Sequence, residues 1–363
     1  MTRIIQLVGG ILLALFAAEV VLRLLPLPAG VLAAEPSRDW PARRLVPNTD
    51  TTMSFGWNLA NVQHGHINNA GFSSPFDYKD GASVGVVIGD SYIEGMSNPA
   101  DGRFQAFLAR DLRLNETDVY NFGMSGTSLP HYLGMARLAG QRYRPRWAVF
   151  LIVGNDFVEG FTPDAGFYHW APAPDVIRLT PARPHGQLTD KLRDLALFRY
   201  ARLNLKFSPS IILDSGFNKP KKSECAPATL SAEDERLLSA WLDEIPRALG
   251  LPTNRIALAF DADRDAITAA NPATTPCPTR DLLARRWLAS HSASAGFKLV
   301  DTAPLFAAAW NRDHIPFDRA PLDRHWTGYA NKLVAATVAR ALEGAPMSNQ
   351  SYLTGTPVAN RLP

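Results

Sequence analysis

A serine, a histidine and an aspartate stand in this sequence where they could carry acyl transfer. The serine is Ser91, within VGVVIGDSYIEG at residues 84–95. The other two lie in LDRHWT, where Asp323 and His325 are two residues apart. A serine hydroxyl is a poor nucleophile until a base takes its proton, and histidine is the usual base near neutral pH. A carboxylate beside the histidine orients the ring and stabilises the imidazolium. The reaction also passes through a tetrahedral oxyanion, which fixed N–H donors stabilise. Three groups could supply them: the Ser91 backbone N–H, the Gly126 backbone N–H in GMSGTS, and the Asn155 side-chain amide in VGNDF. Glycine allows close backbone approach, and asparagine offers an NH2 without charge. Singly, each has an ordinary reading as well. Ser91 could be an N-cap, Gly126 a turn, Asn155 the cap of a helix, and Asp323 and His325 two surface residues.

Their joint meaning depends on the elements that hold them. Val86-Val87-Ile88 has the β-branched make-up of a strand buried on both faces, and it breaks at Gly89-Asp90-Ser91. Residues 104–112 have helical spacing, 119–122 read as a short strand, and 132–140 as a helix. WAVFLIV at residues 147–153 is the strongest buried strand, ending at Gly154-Asn155-Asp156. Helices over 230–249, 280–295 and 329–342, with strands over 256–260 and 298–301, continue the alternation. Three strand ends thus carry Ser91, Gly126 and Asn155 in turn, and in a doubly wound sheet such ends share one edge. The expected fold is a three-layer α/β/α flavodoxin-like sandwich with a mostly parallel sheet.

The N-terminus reads as a membrane segment. A short basic start precedes residues 4–18, which are almost wholly apolar, before Glu19 and Arg23 interrupt the run. That core suits a secretory signal. Extended to about residue 25, it reaches the roughly 20 residues a spanning helix needs. Residues 1–25 are expected to be a signal anchor, the alternative being a cleaved signal peptide, with Val31-Leu32-Ala33 the best cleavage site. Either exports the rest of the chain, as a membrane-anchored extracytoplasmic (periplasmic) domain or, if cleaved, as a secreted one. In an oxidising compartment Cys225 and Cys277 are expected to pair, the alternative being two free thiols. The expected organisation is a linker and approach over 26–82, one domain over 83–345 with a variable insert at about 157–250, and a polar tail over 346–363.

Other chemistry fits less well. A net charge of +3, with no basic run interleaved with aromatics, gives no case for nucleic acid. His64 and His66 lack a third ligand at a metal-binding spacing and read as exposed strand residues. Gly85, Gly89 and Gly95 do not match the dinucleotide fingerprint, and Ser125 lacks the spacing of a nucleophile elbow. In the insert, Phe161, Phe167, Tyr168 and Trp170 could line an acyl or sugar pocket or cover the core. Residues 191–207 form a basic amphipathic helix candidate, for the membrane surface or for packing on the domain.

Four blocks of this sequence resemble the SGNH hydrolases, also called GDSL esterases/lipases: VVIGDSYIEG, NFGMSGT, RWAVFLIVGNDF and DRHW. INNAGF and the anchor ending in AEVVLRLL are similar to membrane-anchored bacterial relatives. The resemblance implies Ser91 as nucleophile and His325 as general base. It implies Asp323 as the residue that orients His325, and Ser91, Gly126 and Asn155 as the oxyanion hole. Asp-x-His departs from the commoner Asp-x-x-His, as position 322 is leucine; Asp-x-His followed by tryptophan is similar to envelope polysaccharide-acetylation members. The implied activity is cleavage of O-acyl esters, O-acetyl among them, on envelope carbohydrate through a seryl-acyl intermediate, with no metal or cofactor. An O-acyltransferase using the same residues and a non-catalytic envelope binding protein are the alternatives.

Overall fold

The apolar N-terminal run forms a helix, α1 (Thr2–Arg23), with no buried residue. The computed structural model describes residues 2–28, 33, 34, 36, 37, 39–182, 194–207, 228–268 and 279–344. Cys225, Cys277 and the 346–363 tail lie outside the described residues. Within the expected approach segment, β1 (Thr49–Phe55) and β2 (Ala60–Ile67) pair antiparallel as a hairpin. His66 sits there beside Asp50 at 2.8 Å, and His64 beside Thr52 at 3.3 Å.

Five strands make the central sheet: β3 (Ser83–Gly89), β4 (Val119–Gly123), β5 (Arg144–Ile152) and, after a two-stranded ribbon of β6 (Tyr168–Trp170) and β7 (Ile177–Leu179), β8 (Ile256–Phe260) and β9 (Lys298–Asp301). Their order is β4-β3-β5-β8-β9 and every pairing is parallel. Counting only these five strands, that is the flavodoxin-like order, with the chain reversing its direction of winding between β3 and β5. Ligands in such sheets collect outside the carboxyl ends of the strands at that reversal. The expected fold is therefore the observed one.

Both faces of the sheet are covered because its strands carry apolar side chains on both sides. Val86, Ile88, Phe150 and Leu258 pack into one hydrophobic cluster, while Val87, Val149, Leu151 and Ala259 pack into the other. A single helical turn, α2 (Ser91–Glu94), follows β3, and α3 (Phe104–Asp111) covers the second cluster. Helix α4 (Leu129–Arg142) covers the first, through Leu129, Tyr132, Leu133, Ala136 and Ala139. The 191–207 segment is not one helix over its described part. A single turn, α5 (Ala196–Arg199), passes into a π-helical turn at Tyr200–Asn204. Its last residue, the buried Asn204, donates to the Ser54 and Gly56 carbonyls of the hairpin, at 3.2 and 3.3 Å.

Helix α6 (Ala232–Leu249) starts at a capping box in which Ser231 and Asp234 bond reciprocally. It packs on α4 through Leu237, Trp241 and Ile245, and the Trp241 indole donates to the Leu129 carbonyl at 2.7 Å. A short α7 (Arg264–Thr268) follows β8, and α8 (Arg280–Ser294) joins the first cluster. Helices α9 (Thr302–Asp313) and α10 (Gly328–Glu343) complete the second layer.

Close approach of α4 and α6 depends on Gly140, where a Cβ would lie 1.9 Å from the Ala248 carbonyl oxygen. Backbone cannot yield there without moving a helix. Gly140→Ala should therefore cost about 1–3 kcal/mol, read as a lower midpoint in chemical denaturation. A midpoint equal to that of the unaltered protein would contradict this contact.

Candidate active site

Strand β3 ends at Gly89, and Asp90 caps the turn that carries Ser91. The Asp90 carboxylate accepts the Tyr92 N–H at 2.9 Å. Ser91 is half-buried and its Oγ donates to Asp90 Oδ2 at 3.4 Å, not to an imidazole. Its backbone N–H opens the helical turn, where no intrahelical partner exists, and it has no acceptor among the described residues. Burial pushes the Asp90 carboxyl up to about 6, against the opposing pull of the Tyr92 N–H and His325.

The loop after β4 is stitched to this turn. The Met124 N–H reaches the Gly89 carbonyl at 3.2 Å. The Thr127 hydroxyl bonds the Met124 carbonyl at 2.6 Å. The Ser125 hydroxyl donates to the buried Glu94 carboxylate. On its other side the Leu129 N–H reaches the Asp156 carbonyl, 3.2 Å away in the loop after β5. Gly126 sits exposed in between with φ +76, and a Cβ there would meet nothing within 4 Å. The left-handed backbone, not lack of space, is what favours glycine. The Gly126 N–H also has no acceptor among the described residues.

Asn155 lies beyond β5, the strand beside β3. Its loop is held by Asp156, whose buried carboxylate accepts the Val153 N–H at 2.7 Å and the Tyr132 hydroxyl at 3.0 Å. Burial, with the Asp90 charge added to it, holds the Asp156 carboxyl well above the usual range. The Asn155 amide is exposed and donates to Glu159 Oε1 at 2.5 Å. An amide has two N–H donors, so one remains. The strand ends thus bring Ser91, Gly126 and Asn155 to one edge through loops bonded to each other.

The histidine arrives from the opposite end of the chain. His325 Nδ1 donates to Asp323 Oδ1 at 2.5 Å, and the His325 backbone N–H reaches the same oxygen at 3.1 Å. The residues on each side of it are pinned. The Arg324 carbonyl accepts from the Tyr92 hydroxyl and from Arg264 Nη2, both at 2.9 Å. The buried Trp326 indole donates to Asp261 at 3.0 Å, and the Trp326 carbonyl accepts from Asn98 at 2.7 Å. Arg264 also pairs with Asp261 and lies 3.0 Å from Asp318. The Tyr92 and His325 ring centroids are 5.1 Å apart, so the imidazole stands beside the Ser91 turn.

Burial by itself would lower the His325 pKa. The hydrogen bond and charge of Asp323, reinforced by Asp90 and Glu94, outweigh it and raise the value above the ordinary one. Burial would raise that of Asp323, but the His325 hydrogen bond and charge hold it below the usual carboxylate range. Such a site can take a proton from a hydroxyl, hold an imidazolium and present N–H groups to a developing oxyanion.

Beside it is a cavity of about 340 Å³, lined in part by Gly126, Ser128, Glu159, Asp164, Phe167 and Tyr168. Of the four aromatics considered for a pocket, Phe167 and Tyr168 line this one, while Trp170 is buried against the Phe157 carbonyl at 3.0 Å. Reading the sequence assigned no site role to Asp90, Glu94, Asp156 or Arg264. Asp90 had a signal, an Asx residue at a strand end ahead of a helical turn, and so had Asp156, an Asx residue just past the end of β5 that bonds the Val153 N–H three residues back; Glu94 and Arg264 act mainly on distant partners and had none.

No protein-family model and no curated protein matches the chain. Among solved structures it is similar to LAE5, an alpha/beta hydrolase enzyme from the metagenome of Lake Arreo, Spain, at 14% identity and TM-score 0.39, covering 75% of this chain and 99% of that one. It is also similar to a structure described as a lipolytic protein of the G-D-S-L family from Desulfitobacterium hafniense, at 11% identity and TM-score 0.38, covering 72% and 99%. A family 3 carbohydrate esterase of Clostridium thermocellum overlaps at 15% identity and TM-score 0.33, covering 72% and 98%. At that distance the roles of individual residues rest on the geometry above.

The raised His325 value sets a pH dependence. A general base must be neutral, so the rate should fall as pH drops through a value above ~6.5, the ordinary histidine pKa. Asp323→Asn removes the main raising interaction and leaves burial opposed only by Asp90 and Glu94, so the acid limb should move to lower pH as the rate falls. The check is kcat/KM between about pH 4 and 9 for both proteins. An acid limb at the same pH in both would mean that Asp323 does not act on His325.

Proposed function

We propose that this chain is a serine ester hydrolase of the SGNH type, acting on O-acyl groups of carbohydrate. The observation that carries the reading is the 2.5 Å Asp323–His325 hydrogen bond on a loop pinned beside the Ser91 turn. Ser91 Oγ attacks the ester carbonyl carbon while His325 Nε2 takes its proton. The carbonyl π electrons move onto oxygen, and the Ser91 N–H, the Gly126 N–H and the Asn155 amide receive the charge. Collapse breaks the bond to the alcohol, which leaves with the proton from His325. Water then attacks the seryl ester by the same route, with His325 again as base, and frees the acid. Asp323 stays ionised throughout and holds the ring. None of these steps calls on a metal or a cofactor.

Substrate class and location belong to the same proposal. The carboxylates and hydroxyls lining the cavity beside Gly126 suit a polyol better than an acyl chain, which favours a short acyl group, such as acetyl, on carbohydrate. Helix α1, at 22 residues with none buried, is long and apolar enough to cross a membrane. We read it as an anchor with the domain on the extracytoplasmic side. Water and a sugar hydroxyl could both resolve the seryl ester, so products formed with a glycan acceptor distinguish hydrolase from acyltransferase.

Asn155 separates this reading from a chance grouping of motifs. As an oxyanion donor it interacts most strongly once the carbonyl oxygen is charged. Asn155→Ala should then lose about 100- to 1000-fold in turnover, with little change in KM. Ser91→Ala should remove turnover entirely and serves as background. The measurement is kcat and KM on an acetyl ester with a melting curve for each variant. An Asn155→Ala protein that melts lower yet turns over normally would show that Asn155 only supports its loop.

A further inference from the structure

Helix α1 carries a carboxylate four residues from its end, and the folded domain satisfies it. Glu19 Oε1 accepts the Ala196 N–H at 3.0 Å and Arg23 Nε at 2.8 Å, while Oε2 accepts the Leu197 N–H at 2.8 Å. Arg199 adds a bond to the Pro28 carbonyl at 3.3 Å. The start of α5 is therefore tied to a fixed level on α1. At 1.5 Å per residue, Glu19 lies ~6 Å below the Arg23 end of the helix. When α1 spans a bilayer, that is within the ~5–10 Å depth at which interfacial segments bury their apolar side.

The residues held at and beside that level are apolar and uncovered. Leu195, Phe198, Leu205 and Phe207 are exposed, and Trp57, whose carbonyl accepts from the Tyr200 hydroxyl at 2.7 Å, is 76% exposed. Arg202 and Lys206 stand exposed among them. Apolar and aromatic groups interleaved with cations suit the boundary between acyl chains and anionic headgroups. The face also touches the catalytic loop, since Lys206 Nζ donates to the Leu322 carbonyl, 3.4 Å away and next to Asp323.

We propose that residues 194–207 and Trp57 form a membrane-surface face that seats the domain on the bilayer beside its own anchor. The proposal rests on reading α1 as a retained anchor and does not depend on the chemistry of Ser91. Leu195, Phe198 and Trp57 enter the boundary, and Arg202 and Lys206 meet the phosphates. The Asp323–His325 loop is thereby held at a set height above the lipid.

The test uses the full chain in vesicles of phosphatidylethanolamine and phosphatidylglycerol, with or without bromine on the acyl chains near the headgroup. Trp57 emission is isolated as the difference between the unaltered protein and Trp57→Phe. It should be blue-shifted and quenched by bromine. A Phe198→Asp, Phe207→Asp double variant should lose that quenching while resisting carbonate extraction. Red, unquenched Trp57 emission in carbonate-resistant protein overturns the face and leaves the anchor standing. Blue-shifted but unquenched emission means a protein surface covers it and also overturns the proposal. Release by carbonate overturns the anchor and the face together. Ester turnover is scored separately, so a failed face and a failed hydrolase are read from different measurements.

Discussion

A hydrogen bond between two side chains two residues apart is cheap to form and easy to lose, unless the backbone between them is fixed. The Asp323–His325 contact is the interaction on which the candidate chemistry depends, and most of the surrounding structure keeps that backbone still. Arg264 is the centre of the restraint. It binds the Arg324 carbonyl, the Tyr92 hydroxyl at 2.6 Å, and the carboxylates of Asp261 and Asp318. Tyr92 follows Ser91 directly, so one guanidinium ties the histidine loop to the Ser91 turn. Such a buried ion pair is weak as a source of stability. Its worth here is orientation, because a planar fork with five donors can fix several oxygens at once.

The sheet supplies the second half of the constraint. Parallel strands put all their carboxyl ends on one edge, and the reversal between β3 and β5 opens a gap there. The loops that cross this gap are bonded to one another before they touch any ligand. Thr127 and Met124 secure one side and Asp156 the other. Among the described residues the Ser91 and Gly126 N–H groups have no acceptor, and both lie on the loops that this bonding holds at the sheet edge.

Much of this was legible in the sequence because it depends on local pattern. The β-branched runs at 86–88 and 147–153 announce buried strands, and the small or polar residues that end them announce the loops. The strand at 298–301 matched its expected bounds. Other parts had no local signal. His64 and His66 read as strand residues, as they are in β2, but TDTTMSF is too polar to advertise their partner, and β1 and β2 pair because each supplies the other's backbone partners. Helix α9 carries Pro304 in its first turn, where proline is tolerated but reads as a breaker. Arg264 and Asp261 pair three residues apart, but Arg264 reaches Tyr92 and Arg324, Asp261 reaches Trp326 and Glu94 reaches Ser125 across separations that no window along the chain contains. The 191–207 segment had the periodicity of a helix; its described part is shaped by contacts periodicity cannot foresee, with Glu19 at one end and the hairpin carbonyls at the other.

The π-helical turn at Tyr200–Asn204 has a consequence for how this segment can vary. A π-turn holds one residue more than an α-turn. The surplus residue therefore works as a slack link between anchor and hairpin: losing one position would tighten the π-turn to an α-turn and leave the residues on either side near their present directions.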